Sequence, residues 1–317
     1  MRRSSVIKAM LNTVHLQTFL AVVETGSFSA AAKRLHMSQP AVSQQIRTLE
    51  EQMGGVRLFR RSGQQMVLTL AGEQLLSNAR ELVAMAERTV QAVSALRGQI
   101  GGRVRVGCVA GGAEAFLPYA LAVVQRQYPA VTVEVAVQAA DQLLEGLGER
   151  LFDLVLVNDT PRRRGFETRL LAVERLVLVA STGHPLLPAE QVPAGILHDY
   201  PLALPRVGHP LRRVLEDGLR RRGVNVPDLR IALEADSPLL LRAAVEAGIA
   251  LAFLPVSLLP ARLERLGIIA LAGQPVAQEW HLVRLRERAP AHVVDLMYET
   301  LLGEKTRSVL LQLGLTT

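Results

Sequence analysis

The chain has 317 residues, a length that predicts two or three domains rather than one core. With 49% apolar residues it is too hydrophobic to be largely disordered, yet no uninterrupted apolar run reaches the roughly 18 residues that a membrane span needs. The net charge of +7 is uneven: residues 1–75 carry nine Lys/Arg against four Asp/Glu. A basic end on a nearly neutral body points to a polyanion-binding module joined to something else. The single cysteine, Cys108, excludes an internal disulfide and a multi-cysteine metal cluster, and the histidines show no paired ligand spacing. Met1–Lys8 is basic, but the apolar stretch and cleavage site of a signal peptide do not follow it, which predicts a cytoplasmic protein.

Leu16, Phe19, Leu20 and Val23 recur at helical spacing, and Thr25-Gly26 supplies a stop. Ser27 to Ser29 opens a short second helix through Ala30, Ala31 and Ala32, whose small side chains let another helix cross closely. After a turn at His36-Met37, Ser38 serves as N-cap of a third helix, with Pro40 in its first turn. On that helix Gln39, Pro40, Ser43, Gln44 and Arg47 fall within an arc of about 140°, opposite Val42, Ile46 and Leu49. Such a face can donate and accept hydrogen bonds at base edges in a major groove. Two short apolar-and-basic runs around Ser62 to Gln65 then predict a hairpin wing.

Residues 28–50, with Leu58-Phe59-x-Arg61 and Leu68-Thr69-x-Ala71-Gly72, resemble the LysR-family helix-turn-helix nearly position for position from Leu16 to Gly72. The resemblance implies that Gln39, Pro40, Ser43 and Gln44 contact bases and that Arg61 enters the minor groove of a double-stranded DNA operator. The wider candidate set is Phe28, Ser29, Lys33, Arg34, Ser38 and Arg47, with Arg57, Arg60 and Arg61 on the wing. Two departures stand out. Gln44 occupies a position where the family often has arginine, and Gly54-Gly55 adds a residue ahead of the wing.

Leu75, Ala79, Leu82, Ala86, Thr89, Val93 and Leu96 alternate steps of four and three, a heptad seam that predicts pairing with a second chain. In LysR-type proteins this helix joins subunits, which implies a homodimer or homotetramer. The dimerisation candidates are Leu75, Ala79, Leu82, Ala86, Val93 and Leu96. Beyond a glycine hinge, short strands and helices alternate, predicting mainly parallel sheets flanked by helices. The fold class expected is therefore an α-helical winged helix-turn-helix domain, a long linker helix, and a two-lobed α/β effector domain like that of periplasmic binding proteins.

The boundaries read as an extension at 1–11, the winged domain at 12–72, the linker at 73–97 and a hinge at 98–102. An effector domain spans 103–305, with lobe I about 103–175 and 277–305, lobe II about 176–276, and a tail at 306–317. Ligands in such folds sit where strands end and helices begin. That rule singles out Ala110, Gly111, Gly112, Gln138, Ala139, Arg206 and His209 as effector candidates. No cofactor, catalytic residue, metal or membrane is expected. The resemblance implies a small-molecule effector and leaves RNA polymerase open as a further partner. A solute-binding protein or an α/β enzyme fused to a DNA-binding module is the alternative.

Overall fold

The computed structural model describes residues 11–95, 100–161, 164–260, 262–286 and 292–316. The chain divides into two compact units, one built mainly on the chain up to Gln99 and a larger one that begins at Ile100.

In the first unit, α1 (Thr13–Thr25), α2 (Phe28–Arg34) and α3 (Gln39–Gln52) pack around Leu16, Phe19, Val22, Ala31, Val42, Ile46 and Leu49, all buried. Each start is capped by a side-chain oxygen: Asn12 on Val14 N–H, Ser27 on Ala30 N–H, and Ser38 on Ala41 N–H. Gly26 ends α1 with φ of 63°, a left-handed cap that a β-carbon would strain. The wing is β1 (Phe59–Ser62) paired antiparallel with β2 (Gln65–Leu68). It is pinned by Phe59, whose ring meets Phe19 at 5.3 Å and Phe28 at 5.9 Å between centroids. Thr69 accepts from Gly72 N–H at 3.2 Å and opens α4 (Leu70–Ala95).

The seam expected along α4 is split. Leu75 and Ala79 lie buried with Val83 in the core of the helix-turn-helix. The apolar stripe exposed farther along is Leu82, Met85, Val90 and Val93, with Ala86 half-buried among them. At 100° per residue these positions span an arc of about 140°. The helix therefore has two uses in series: one half completes its own domain and the other presents an uncovered face. Leu96 of the expected seam, residues 1–10 and Gly98 lie outside the described residues.

The second unit opens with β3 (Gly101–Cys108), α5 (Ala110–Ala115) and α6 (Leu117–Gln127). Next come β4 (Ala130–Val137), α7 (Ala140–Gly148) and β5 (Leu154–Val157). A 16-residue strand, β6 (Phe166–Ser181), leads into β7 (Leu202–Leu204), α8 (Pro210–Arg220), β8 (Ile231–Glu234) and α9 (Pro238–Glu246). After β9 (Leu251–Pro255) and β10 (Leu266–Ile269), β11 (Val276–Leu285) returns, followed by α10 (His292–Leu302) and α11 (Glu304–Gln312). Strand order is β4-β3-β5-β11-β6-β9-β7-β8, with β10 also on β6.

Two antiparallel strands, β6 and β11, pass between the lobes. Phe166–Leu176 of β6 pairs with β11, whereas Leu176–Val179 pairs with β9. Period-two alternation lets the second lobe bury both faces. Leu176, Leu178 and Ala180 join the core with Leu211 and Leu215 of α8, and Val179 joins that with Leu241 and Val245 of α9. Cys108 sits fully buried on β3, where burial pushes its thiol far above the ordinary range. Such a thiol is inert packing.

Two expected segments are built differently. Gly101 and Gly102 of the expected hinge belong to β3, in register with Ala130 and Val131. A β-carbon on Gly101 would stand 3.1 Å from the Ala130 carbonyl oxygen, a tight approach between the two strands. The expected tail carries α11, and Thr316 exchanges backbone hydrogen bonds with Val173 at 2.6 and 2.8 Å.

Candidate functional site

The first candidate site is the outer face of α3. Val42, Ile46 and Leu49 are buried, so the helix is fixed in rotation and its opposite face must point outward. Gln39, Pro40, Gln44 and Arg47 are exposed there. Gln39 donates to Ser43 Oγ at 2.9 Å, which orders two hydrogen-bonding side chains on one turn. Behind them, Gln45 accepts from the buried Thr18 hydroxyl of α1 at 2.5 Å.

The wing is tied to this helix by Glu50. Its buried carboxylate accepts from Leu58 N–H and from Arg57 Nη1, each at 2.9 Å. Arg57 is thus engaged in joining helix to wing. Arg60 is exposed on β1, and Arg61 donates to the Gly63 carbonyl at the hairpin turn at 3.1 Å. Gly54 and Gly55, with φ of 81° and 79°, close the end of α3 before the wing. Lys33 and Ser29 are exposed, whereas Arg34 pairs with Glu24 at 2.5 Å. Ser38 is committed to its cap, and Phe28 packs half-buried against Phe59, a core position.

The second site is a cavity of about 800 Å³ within the larger unit. Ala110, Gly111, Gln138 and Ala139 line it from the first lobe at the starts of α5 and α7, and His209 lines it from the second at the start of α8. Gly112 is not in the lining: a β-carbon there would meet the Trp280 ring at 2.8 Å, so glycine lets the indole close over the helix. Arg206 is not in the lining either; its side chain is exposed and pairs with Asp236 at 3.5 Å. The His209 ring accepts from Leu211 N–H at 3.1 Å, and burial holds its pKa below the ordinary value against the opposing pull of Asp236.

Sequence reasoning missed the floor and the mouth. Trp280 and Gln278 of β11 form the floor with Asn158, and Asp159 meets Arg213 of α8 at 3.7 Å across the opening. Asn158 follows the buried run Leu154–Val157, so the strand-end rule could have found it. Nothing local marks Gln278 and Trp280, which reach the cavity through a returning strand more than a hundred residues later. Beneath the floor lies fully buried Glu174 of β6. It accepts from Gln278 Nε2 at 2.9 Å, Trp280 Nε1 at 2.8 Å, Ser257 N–H at 3.2 Å and the Ser257 hydroxyl.

Comparison with known proteins gives a consistent picture. The model of the bacterial regulatory helix-turn-helix protein, lysR family, matches residues 13–73, and that of the LysR substrate binding domain matches residues 97–305. The chain is 28% identical over 294 residues to the RuBisCO operon transcriptional regulator of Allochromatium vinosum, covering 92% of this chain and 96% of that one. It is 30% identical over 268 residues to the HTH-type transcriptional regulator CbbR of Xanthobacter flavus, covering 83% and 79%. Among solved structures, full-length CbnR complexed with its target DNA superposes with a TM-score of 0.64 at 27% identity, covering 92% and 99%.

Proposed function

The chain belongs to the LysR family of transcriptional regulators, and from that premise we propose that two copies read a partly palindromic operator under the control of a small molecule held between the lobes. The observation that carries the reading is the outward face of α3. Gln39, Ser43 and Gln44 stand on a helix whose rotation is fixed by Val42, Ile46 and Leu49, beside a wing carrying Arg60. Amide and hydroxyl groups read base edges, and wing cations meet phosphates. With Gln44 where a long cation would favour guanine, the face suits adenine, which pairs with a glutamine amide through N6 and N7.

The uncovered stripe Leu82, Met85, Val90 and Val93 supports pairing of α4 between two chains, which sets two recognition helices on one duplex. The cleft supports an effector role because its walls come from both lobes, so a molecule held there touches both. That its named relatives are regulators supports a regulatory rather than catalytic use of the cleft, and a role in binding an operator supports a cytoplasmic protein.

The test is selection of bound duplexes from a random library by purified full-length protein. The reading predicts enrichment of two related half-sites at a fixed spacing near one helical turn or a multiple of it. No enrichment, or a single isolated half-site bound by one chain, would overturn it.

A further inference from the structure

The cleft floor is built as a one-directional chain of hydrogen bonds that starts at a buried carboxylate and ends at an acceptor with no donor among the described residues. Trp280 Nε1 and Ser257 N–H can only donate, and both donate to Glu174. Gln278 sits 2.9 Å from the same carboxylate, and turning its oxygen there would place two acceptors face to face. Its Nε2 must therefore point at Glu174, which turns Oε1 the other way. That oxygen accepts from Asn158 Nδ2 at 3.3 Å. The second link fixes Asn158 in turn, and its Oδ1, buried at the end of the chain, has no hydrogen-bond partner among the described residues. Asn158, Gln278 and Trp280 all line the cavity. Each amide dipole points its negative end away from Glu174, so the charge polarises the chain outward and strengthens the terminal acceptor.

We infer that the cleft takes a ligand carrying a cationic hydrogen-bond donor (an amine, amidine or guanidine group) that docks at Asn158, with Glu174 as the positioning residue that fixes the polarity of the floor. The inference rests on the cleft being an effector site. Three further features agree with it. Among the described residues, the lining carries Asp141, Asp159 and Asp236 against Arg213; Arg213 is paired with Asp159, and Asp236 with Arg206 outside the lining. The start of α8, which could hold an anion through its N–H groups, is capped by His209, and that of α9 by the Ser237 hydroxyl. A carboxylate placed at Asn158 would add an acceptor to an acceptor, one hydrogen bond from Gln278 and two from Glu174.

The experiment is calorimetric titration of the full-length protein with two probes of matched shape and opposite character, benzamidinium and benzoate. Three variants accompany the wild type. Asn158→Ala removes the acceptor, Asp236→Asn removes an exposed carboxylate of the lining, and Ala139→Trp fills the cavity from the exposed start of α7. The inference predicts that benzamidinium binds at least about tenfold tighter than benzoate. Asn158→Ala should cost about tenfold for benzamidinium and nothing for benzoate. Asp236→Asn should weaken benzamidinium by a smaller factor, and Ala139→Trp should abolish binding.

Benzoate binding equal to or tighter than benzamidinium, and lost in Ala139→Trp, would overturn the ligand class and leave the effector cleft standing. Benzamidinium binding that neither Asn158→Ala nor Asp236→Asn weakens would do the same. If neither probe binds, or Ala139→Trp changes nothing, the effector reading fails and the inference fails with it.

Discussion

Glu50→Ala should loosen the wing from the recognition helix, by an amount that follows from its two partners. Leu58 N–H is buried and has the Glu50 carboxylate as its acceptor at 2.9 Å. Leaving that donor unpaired costs about 1–3 kcal/mol. The Arg57 partner is largely exposed, so solvent screening reduces that ion pair to about 0–1 kcal/mol. Together the truncation should cost about 1–4 kcal/mol, nearly all of it local. Glu50→Gln keeps an acceptor for Leu58 N–H and gives up only the charge, so it should cost about 1 kcal/mol or less. Hydrogen exchange in the full-length protein can read this directly, through the opening free energy of amides between Leu58 and Leu68. DNA affinity should fall in the same order, because a wing that opens must be reordered on binding. If Glu50→Gln costs as much as Glu50→Ala, the charge rather than the buried donor holds the wing. If neither moves those amides, the coupling argued from Glu50 is wrong.

Two further outcomes follow from other parts of the chain. Met85→Asp and Val93→Asp each place a charge on the exposed stripe of α4, and should shift the protein to monomers in sedimentation analysis while its helicity is retained. Leu75→Asp, whose wild-type side chain is buried in the helix-turn-helix core, should instead unfold that domain; dimers that persist in both stripe variants would refute the assignment of the face. Stability should also fall on acidification. Burial holds His281 and His209 below the ordinary histidine pKa, so near and below pH 6.5 the unfolded chain takes up protons that the folded chain refuses. The contribution is fully present above that pH and shrinks as pH falls. Melting followed through Trp280, the one tryptophan in the sequence, should show Tm dropping from pH 7.5 to 5.0, with a flatter slope in His281→Gln. A Tm that rises on acidification would contradict the sign.

The sequence was most legible where chemistry and structure are local. The amino-terminal module announces itself through caps at Ser27 and Ser38, a helical stop at Gly26 and a polar face three residues from its own core, all within forty residues. The seam on α4 was half legible. A heptad pattern records which side of a helix is apolar, not whether its own domain or a second chain covers it, and here Leu75 and Ala79 are covered by their own domain while Leu82, Met85, Val90 and Val93 are left exposed. The cleft was legible only at strand ends. Ala110, Gly111, Gln138, Ala139 and His209 follow from the rule that helices start where ligands sit. Trp280 and Gln278 reach the floor through pairing of β11 with β5 and β6, a contact between segments far apart in sequence that leaves no periodic mark. Glu174 is harder still: a lone acid in the strand run Leu170–Leu178 reads as a solvent-facing break, while the fold surrounds it with four donors.

The measurement closest to the central claim is a comparison of base preference in Ser43→Ala and Arg60→Ala by selection from random duplexes under matched salt. Ser43 stands half-buried on the outward face of α3, so its truncation should change which base is favoured at one position in each half-site, by about 1–3 kcal/mol of discrimination. Arg60 stands on the wing, so its loss should weaken binding to all sequences alike and reduce the salt dependence by about one phosphate contact. If Ser43→Ala leaves the selected sequence unchanged while Arg60→Ala alters it, α3 is not the element that reads DNA.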